Sequence, residues 1–203
     1  MLDADPGVAV VTRLSRPALD LTDPASIIAS AAALTAAPDL VIVATGVLHA
    51  EALVPERELR QLSAGAFAQA FAVNAIGPAL IAQAFLPLLP KDRKTVFAAL
   101  SARVGSIADN RLGGWHAYRA SKAALNQVLR TIAIEQTRKN PLSVVLGLHP
   151  GTADTGLSKP FQRSVKTLFT ARESAAHLLG VIDAATPAQS GRVFDWQGAE
   201  VSP

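Results

Sequence analysis

The chain has 203 residues, half of them hydrophobic and only 17% charged, so one domain with a sizeable core is expected and a disordered chain is excluded. Its net charge of +3 comes from scattered basic pairs such as Arg13/Arg16, Lys91/Arg93/Lys94 and Arg138/Lys139, which describes a solvated surface rather than a nucleic-acid footprint. It contains no cysteine, which removes disulfides and thiolate metal sites and fits a cytoplasmic protein.

Val8 to Thr12 is a short β-branched run after Pro6-Gly7 and reads as a buried strand; Ala18 to Leu21 is a second candidate. Asp23-Pro24 then starts a helix running to about Thr35, with Asp23 as N-cap and Pro24 at the first helical position. Asp39 to Ala44 is apolar without alternation, as expected of a strand covered on both faces. Ser63 caps a long helix to about Leu89, whose greasiest part, Pro78 to Pro90, is short for a bilayer span. Lys94 to Leu100 is the next strand, followed by a polar loop from Ser101 to Trp115 and a helix ending near Asn140-Pro141. Leu142 to Leu148 is a strand, Thr152 to Thr170 a candidate lid, Ala171 to Ala184 a helix and Arg192 to Trp196 a last strand. Strands alternating with helices predict a single α/β domain over residues 1–203, a doubly wound parallel sheet.

The helix expected after Trp115 carries Tyr118-Arg119-Ala120-Ser121-Lys122. Residues four apart share a helix face, so the Tyr118 phenol and the Lys122 ammonium point the same way. A free phenol titrates near pH ~10, and a neighbouring cation is expected to lower that value toward the range useful for proton transfer. Asn74 lies in Val-Asn-Ala-Ile-Gly, and Pro78 follows it by four residues. Proline offers no N–H, so the Asn74 carbonyl loses its helical partner; it is then either free to hold a water or simply the site of a kink. The four histidines, His49, His116, His149 and His177, show no metal spacing, and no G-x-S-x-G elbow exists. His116 stands two residues before Tyr118, where it can line a substrate mouth, and Trp115 and Phe161 can shape an apolar pocket or pack as ordinary core.

Together, Tyr118-x-x-x-Lys122 in Tyr-Arg-Ala-Ser-Lys-Ala-Ala-Leu-Asn126, Asn74, Ala44-Thr-Gly46 and Pro150-Gly-Thr-Ala-Asp-Thr155 resemble the short-chain dehydrogenase/reductase family, in particular its C-factor-like, small carbonyl-reductase-like group. The resemblance implies a Rossmann-like fold and hydride transfer between a nicotinamide cofactor and a small-molecule carbonyl or alcohol. It implies that Tyr118 is the general acid/base, that Lys122 tunes it and binds the nicotinamide ribose, and that Asn74 holds a relay water through its carbonyl. The family's Ser-Ser-x-x-Gly appears here as Ser101-Ala102-Arg103-Val104-Gly105. Aligned on Gly105, the catalytic slot is Ala102; Ser101 is the favoured serine, Ser106 the alternative, and a chain with no such serine the third reading. Asp20 corresponds to the adenine-edge acid, Gly46 lies against the adenosine ribose, and Pro150, Gly151 and Thr155 border the nicotinamide. Arg13 and Arg16 stand where NAD enzymes often carry an acid for the ribose 2′-OH, so NADP is expected over NAD. A homodimer or homotetramer through the two long helices is also implied.

The resemblance departs from the family at the front. The first glycine is Gly7, ahead of what corresponds to the second strand, so the first strand, the phosphate loop and one helix, roughly 30 residues, are missing from this sequence. Two explanations compete: the chain start lies further upstream, or the short form is real and is a weak binder or a non-catalytic relative acting as a binding or oligomerisation partner.

Overall fold

In a computed structural model, residues 2–50, 53–165 and 167–203 are described. Four parallel strands form the sheet: β1 (Leu40–Val43), β2 (Thr95–Leu100), β3 (Ser143–His149) and β6 (Arg192–Asp195), adjacent in that order. β4 (Thr152–Ala153) and β5 (Leu168–Phe169) pair in a separate two-stranded parallel ladder within the segment expected as a lid. The helices are α1 (Pro24–Ala32), α2 (Ala64–Phe71), α3 (Gly77–Phe85), α4 (His116–Lys139) and α5 (Ala171–Ala184).

The strands lack alternation because both faces are covered. On β2, Phe97 and Ala99 join one core with α1, α3 and α4, through Ile27, Phe85, Leu125 and Leu129. Val96 and Ala98 turn to the other face and pack with Leu178 and Ile182 of α5. The result is a helix–sheet–helix sandwich, the Rossmann-like α/β class.

Local rules set the helix starts. Asp23 accepts the Ala25 N–H at 3.0 Å with Pro24 in the first turn, and Ser63 accepts the Ala66 N–H at 3.1 Å. Thr170 and Glu173 form a reciprocal capping box on α5. The run from Ala64 to Leu88 is continuous and 25 residues long, longer than the Pro78–Pro90 segment singled out in the sequence, and by length and composition it can cross a membrane. Here its inner face buries Asn74, Ile81 and Phe85 in the domain core, so it is a core helix of this fold.

Two expected strands are absent. Residues 8–12 and 18–21 are irregular. A strand needs a neighbour's ladder, and among the described residues neither run has one; Val10 is 71% exposed. The segment is held instead by packing of Leu14, Leu19 and Leu21 on the core, by the Ser30 hydroxyl donating to the Ala18 carbonyl at 3.0 Å, and by the Asp20 N–H donating to Ser26 at 2.9 Å. Leu21 meets Gly77 so closely that a Cβ there would lie 2.7 Å from the leucine Cβ.

Candidate active site

The candidate residues collect at the carboxyl ends of β1, β2 and β3, where open α/β sheets bind ligands. Gly46 follows β1, Ser101 follows β2, and Pro150-Gly151 follows β3. α4 brings Tyr118 and Lys122 beneath this edge. Its N-terminus begins at Trp115, which makes no side-chain cap. The buried Glu56 carboxylate supplies the cap from a distance, receiving the Ala117 N–H at 3.3 and 3.4 Å.

Asn74 is fully buried and works as a clasp. Its Oδ1 accepts the Val47 N–H at 2.8 Å, and its Nδ2 donates to the Val47 carbonyl at 2.8 Å and to Ser121 Oγ at 3.0 Å. Ser121 donates onward to the Tyr118 carbonyl at 2.8 Å. The loop after β1, the long helix and α4 are thereby tied together through one side chain. Just before Pro78 the helix passes through a π turn over Ala72–Ile76, which the Gly77 N–H closes by reaching back to the Ala72 carbonyl. Such single π turns recur at functional sites.

Lys122 is only 2% exposed. Its Nζ donates to the Leu100 carbonyl at 2.7 Å and stands 5.9 Å from the centre of the Tyr118 ring. A Cβ on Gly46 would lie 3.3 Å from Asn74 Oδ1 and 3.5 Å from Lys122 Nζ, so glycine there leaves the backbone open beside the lysine. Tyr118, Lys122, Asn74 and Gly46 are thus brought together. Burial pushes the Lys122 ammonium down to about 8 and the Tyr118 phenol up to about 12. The phenol therefore moves opposite to the direction expected from its spacing with lysine, because loss of water around the phenolate outweighs the nearby cation.

Ser101 is buried, and its hydroxyl donates to Asn126 Oδ1 at 2.6 Å. Ser106 receives the Asp109 N–H at 3.0 Å and lies 3.3 Å from the Pro203 carbonyl. Both hydroxyls are engaged within the protein. Gly105 is the close contact of this loop: a Cβ would lie 2.9 Å from the Lys122 carbonyl carbon and Cβ. Gly151 has φ 68°, and a Cβ would meet the Phe169 ring at 2.8 Å, so a glycine is required in this turn. The Pro150 carbonyl accepts from Ser174 at 2.9 Å. Thr155 is exposed, and its carbonyl closes the turn to Ser158 and Lys159.

Of the residues expected at the adenosine end, Gly46 stands in this cluster, whereas Asp20 and Arg13 make their side-chain contacts elsewhere. Asp20 accepts the Thr22 N–H and hydroxyl at 2.8 and 2.7 Å, closing a local turn that holds its carboxyl below the usual range. Arg13 is exposed and paired with Asp3. Sequence reasoning missed the parts played by Ser121, Asn126 and Glu56. Ser121 and Asn126 stand three residues after Tyr118 and four after Lys122, so helix spacing marked them; Glu56 carried no local signal.

A family model described as Enoyl-(Acyl carrier protein) reductase matches residues 10–190. The chain is 38% identical over 134 residues to the C-signal protein of Myxococcus xanthus, covering 66% of this chain and 76% of that one. It is 34% identical over 176 residues to a 1-hydroxy-2-glutathionyl-2-methyl-3-butene dehydrogenase of Rhodococcus sp. (strain AD45), covering 87% and 74%. The NADPH-bound carbonyl reductase from chicken fatty liver superposes with a TM-score of 0.77 at 26% identity, over 91% of this chain and 75% of that one.

Proposed function

Since the chain belongs to the short-chain dehydrogenase/reductase family of oxidoreductases, we propose that it interconverts a small-molecule carbonyl and an alcohol by hydride transfer with NADP(H), using Tyr118, Lys122 and Asn74. The observation that carries this reading is the convergence of Tyr118, a buried Lys122 and the Asn74 clasp beside the open backbone of Gly46.

The nicotinamide end of the cofactor fits these residues. Lys122 has one of its three donors committed to Leu100 and others left for a ribose hydroxyl. Gly151 and Thr155 border the same edge of the sheet, and Gly46, expected against the adenosine ribose, offers close backbone approach there. At the other end, Arg13 would exchange its exposed Asp3 partner for a 2′-phosphate, and Asp20 would present its second carboxylate oxygen to the adenine. The pyrophosphate would lie between these two ends, along the loops at the carboxyl ends of the strands.

Bound nicotinamide would supply the hydride. The protein's part is the proton. With its phenol pushed up to about 12, Tyr118 is protonated at neutral pH and is a general acid suited to the reductive direction. Lys122, held at about 8, gains and loses a proton near neutrality and returns one to the phenolate after each turnover. A water at the Asn74 carbonyl, opposite the missing N–H of Pro78, would connect Lys122 to solvent. Ser101 adjoins Leu100, whose carbonyl holds Lys122, and its hydroxyl would turn from Asn126 toward the substrate oxygen. A groove of about 770 Å³ between α3 and α4, lined by Leu80, Gln83, Val128 and Ile132, supports pairing of two copies through these helices.

Calorimetric titration with NADPH and with NADH tests the cofactor assignment. NADPH should bind at least about tenfold tighter, the effect of one phosphate–arginine contact, and Arg13→Ala should narrow the gap. Equal affinities would overturn the NADP preference, and no binding of either would favour a non-catalytic relative.

A further inference from the structure

Among the described residues Trp115 is the one non-glycine with positive φ, at 52°. A left-handed backbone is unfavourable for a residue with so large a side chain, and such strain persists only where the surroundings hold it from several directions. They do so here. Gly113 and Gly114 precede it with φ 63° and 64°. The Trp115 N–H donates to the Glu56 carbonyl at 2.5 Å. The Arg119 guanidinium donates to the Gly113 and Gly114 carbonyls at 3.3 and 3.0 Å and to the Val104 carbonyl at 3.4 Å.

The strained turn places the indole edge-on to the Tyr118 ring, 6.2 Å between centres. The same indole meets Phe161 at 4.9 Å, and Phe161 meets His49 at 5.8 Å. His49 Nε2 lies 3.1 Å from the Gly156 carbonyl, tying the loop after β1 to the segment between β4 and β5. Three separate stretches of chain thus contribute one continuous aromatic wall, all four rings half-buried.

We propose that Trp115, with Phe161, determines substrate choice at this site and selects ketones that carry a flat aromatic group beside the carbonyl. This rests on the reading of Tyr118 as the acid. A ring laid against Trp115 and Phe161 would make the edge and face contacts that aromatic groups prefer, and its attached carbonyl would then point toward the Tyr118 hydroxyl. An alkyl ketone has no such contact to make.

Saturation-transfer NMR with acetophenone and with 2-butanone, without cofactor, tests the wall independently of turnover. The protein should transfer strongly to acetophenone and weakly to 2-butanone. Trp115→Gly keeps a residue at ease with positive φ and should abolish the preference; Phe161→Ala, on a different segment, should reduce it as well. In turnover, the ratio of kcat/KM for acetophenone over 2-butanone should fall about tenfold in either variant. No preference in the unaltered protein, or a preference that survives both substitutions, would overturn the proposal. A preference in binding without any turnover would uphold the wall and overturn the oxidoreductase reading.

Discussion

The Lys122 ammonium stands 5.9 Å from the Tyr118 ring centre yet gives its hydrogen bond to the Leu100 carbonyl, 2.7 Å away. The pair shares one buried environment, and that environment moves both groups toward their neutral forms. With the phenol neutral and the lysine near 8, the alkaline limb of the reductive rate should belong to Lys122. Turnover in a pH series should fall as pH rises through about 8, well before Tyr118 ionises. A limb only above pH ~10, where an unperturbed lysine titrates, would contradict this.

The same shifts make a statement about stability. Lys122 is lowered from 10.5 to about 8, so between those values the unfolded chain binds more protons and stability rises with pH. The burden relieved is on the order of 3 kcal/mol. Tyr118 is raised from 10.0 to about 12, so the folded state binds more protons there and stability falls with pH above about 10. His149 is lowered from 6.5 to about 4, mainly by burial, and stability falls as pH drops from about 6.5 toward 4. Denaturant midpoints across pH should trace these three slopes. The chain has one tyrosine, so its ultraviolet titration reads Tyr118 alone and should be centred near 12.

Asn74→Ala removes three hydrogen bonds at a fully buried position: the Val47 N–H and carbonyl lose this partner, and the Ser121 oxygen loses the donor it accepts from. A loss of about 2–4 kcal/mol is expected in equilibrium unfolding. A change under about 0.5 kcal/mol, typical of surface substitutions, would mean that the clasp does not hold the loops.

Gly105→Ala forces a Cβ to 2.9 Å from the Lys122 backbone. Because a helix backbone cannot give way like a flexible side chain, the substitution should cost about 1–3 kcal/mol and lower turnover by displacing Lys122. Gly180→Ala on α5 is the control: nothing lies within 4 Å, and it should stabilise by about 0.5–1 kcal/mol.

Ser101→Ala should lower turnover more than Ser106→Ala, since Ser101 borders the residue that holds Lys122 while Ser106 binds Asp109 and Pro203. The reverse order would move the role to Ser106.

Elements that depend on local chemistry were legible before any coordinates. Asp23 and Ser63 mark their helix starts because a capping side chain acts within its own turn; the Thr170 cap of α5 follows the same rule but was not read from the sequence. The apolar runs at Leu40, Thr95 and Ser143 read as buried strands because both faces are covered. The Val8 and Ala18 runs have the same composition but, among the described residues, no ladder partner, and composition does not report whether a partner is present. The rise of the Tyr118 pKa was equally hidden, since spacing reveals the lysine but not the water removed around both groups. Glu56 reaches the start of α4 from 61 residues away in sequence, beyond any local pattern.

The most direct test of the account is the rate of NADPH oxidation with a panel of aryl and alkyl ketones, for the unaltered protein and for Tyr118→Phe. The account predicts turnover that drops by roughly a thousandfold in the variant with NADPH affinity retained. Turnover that survives the loss of the hydroxyl, or no NADPH oxidation with any ketone, would contradict it.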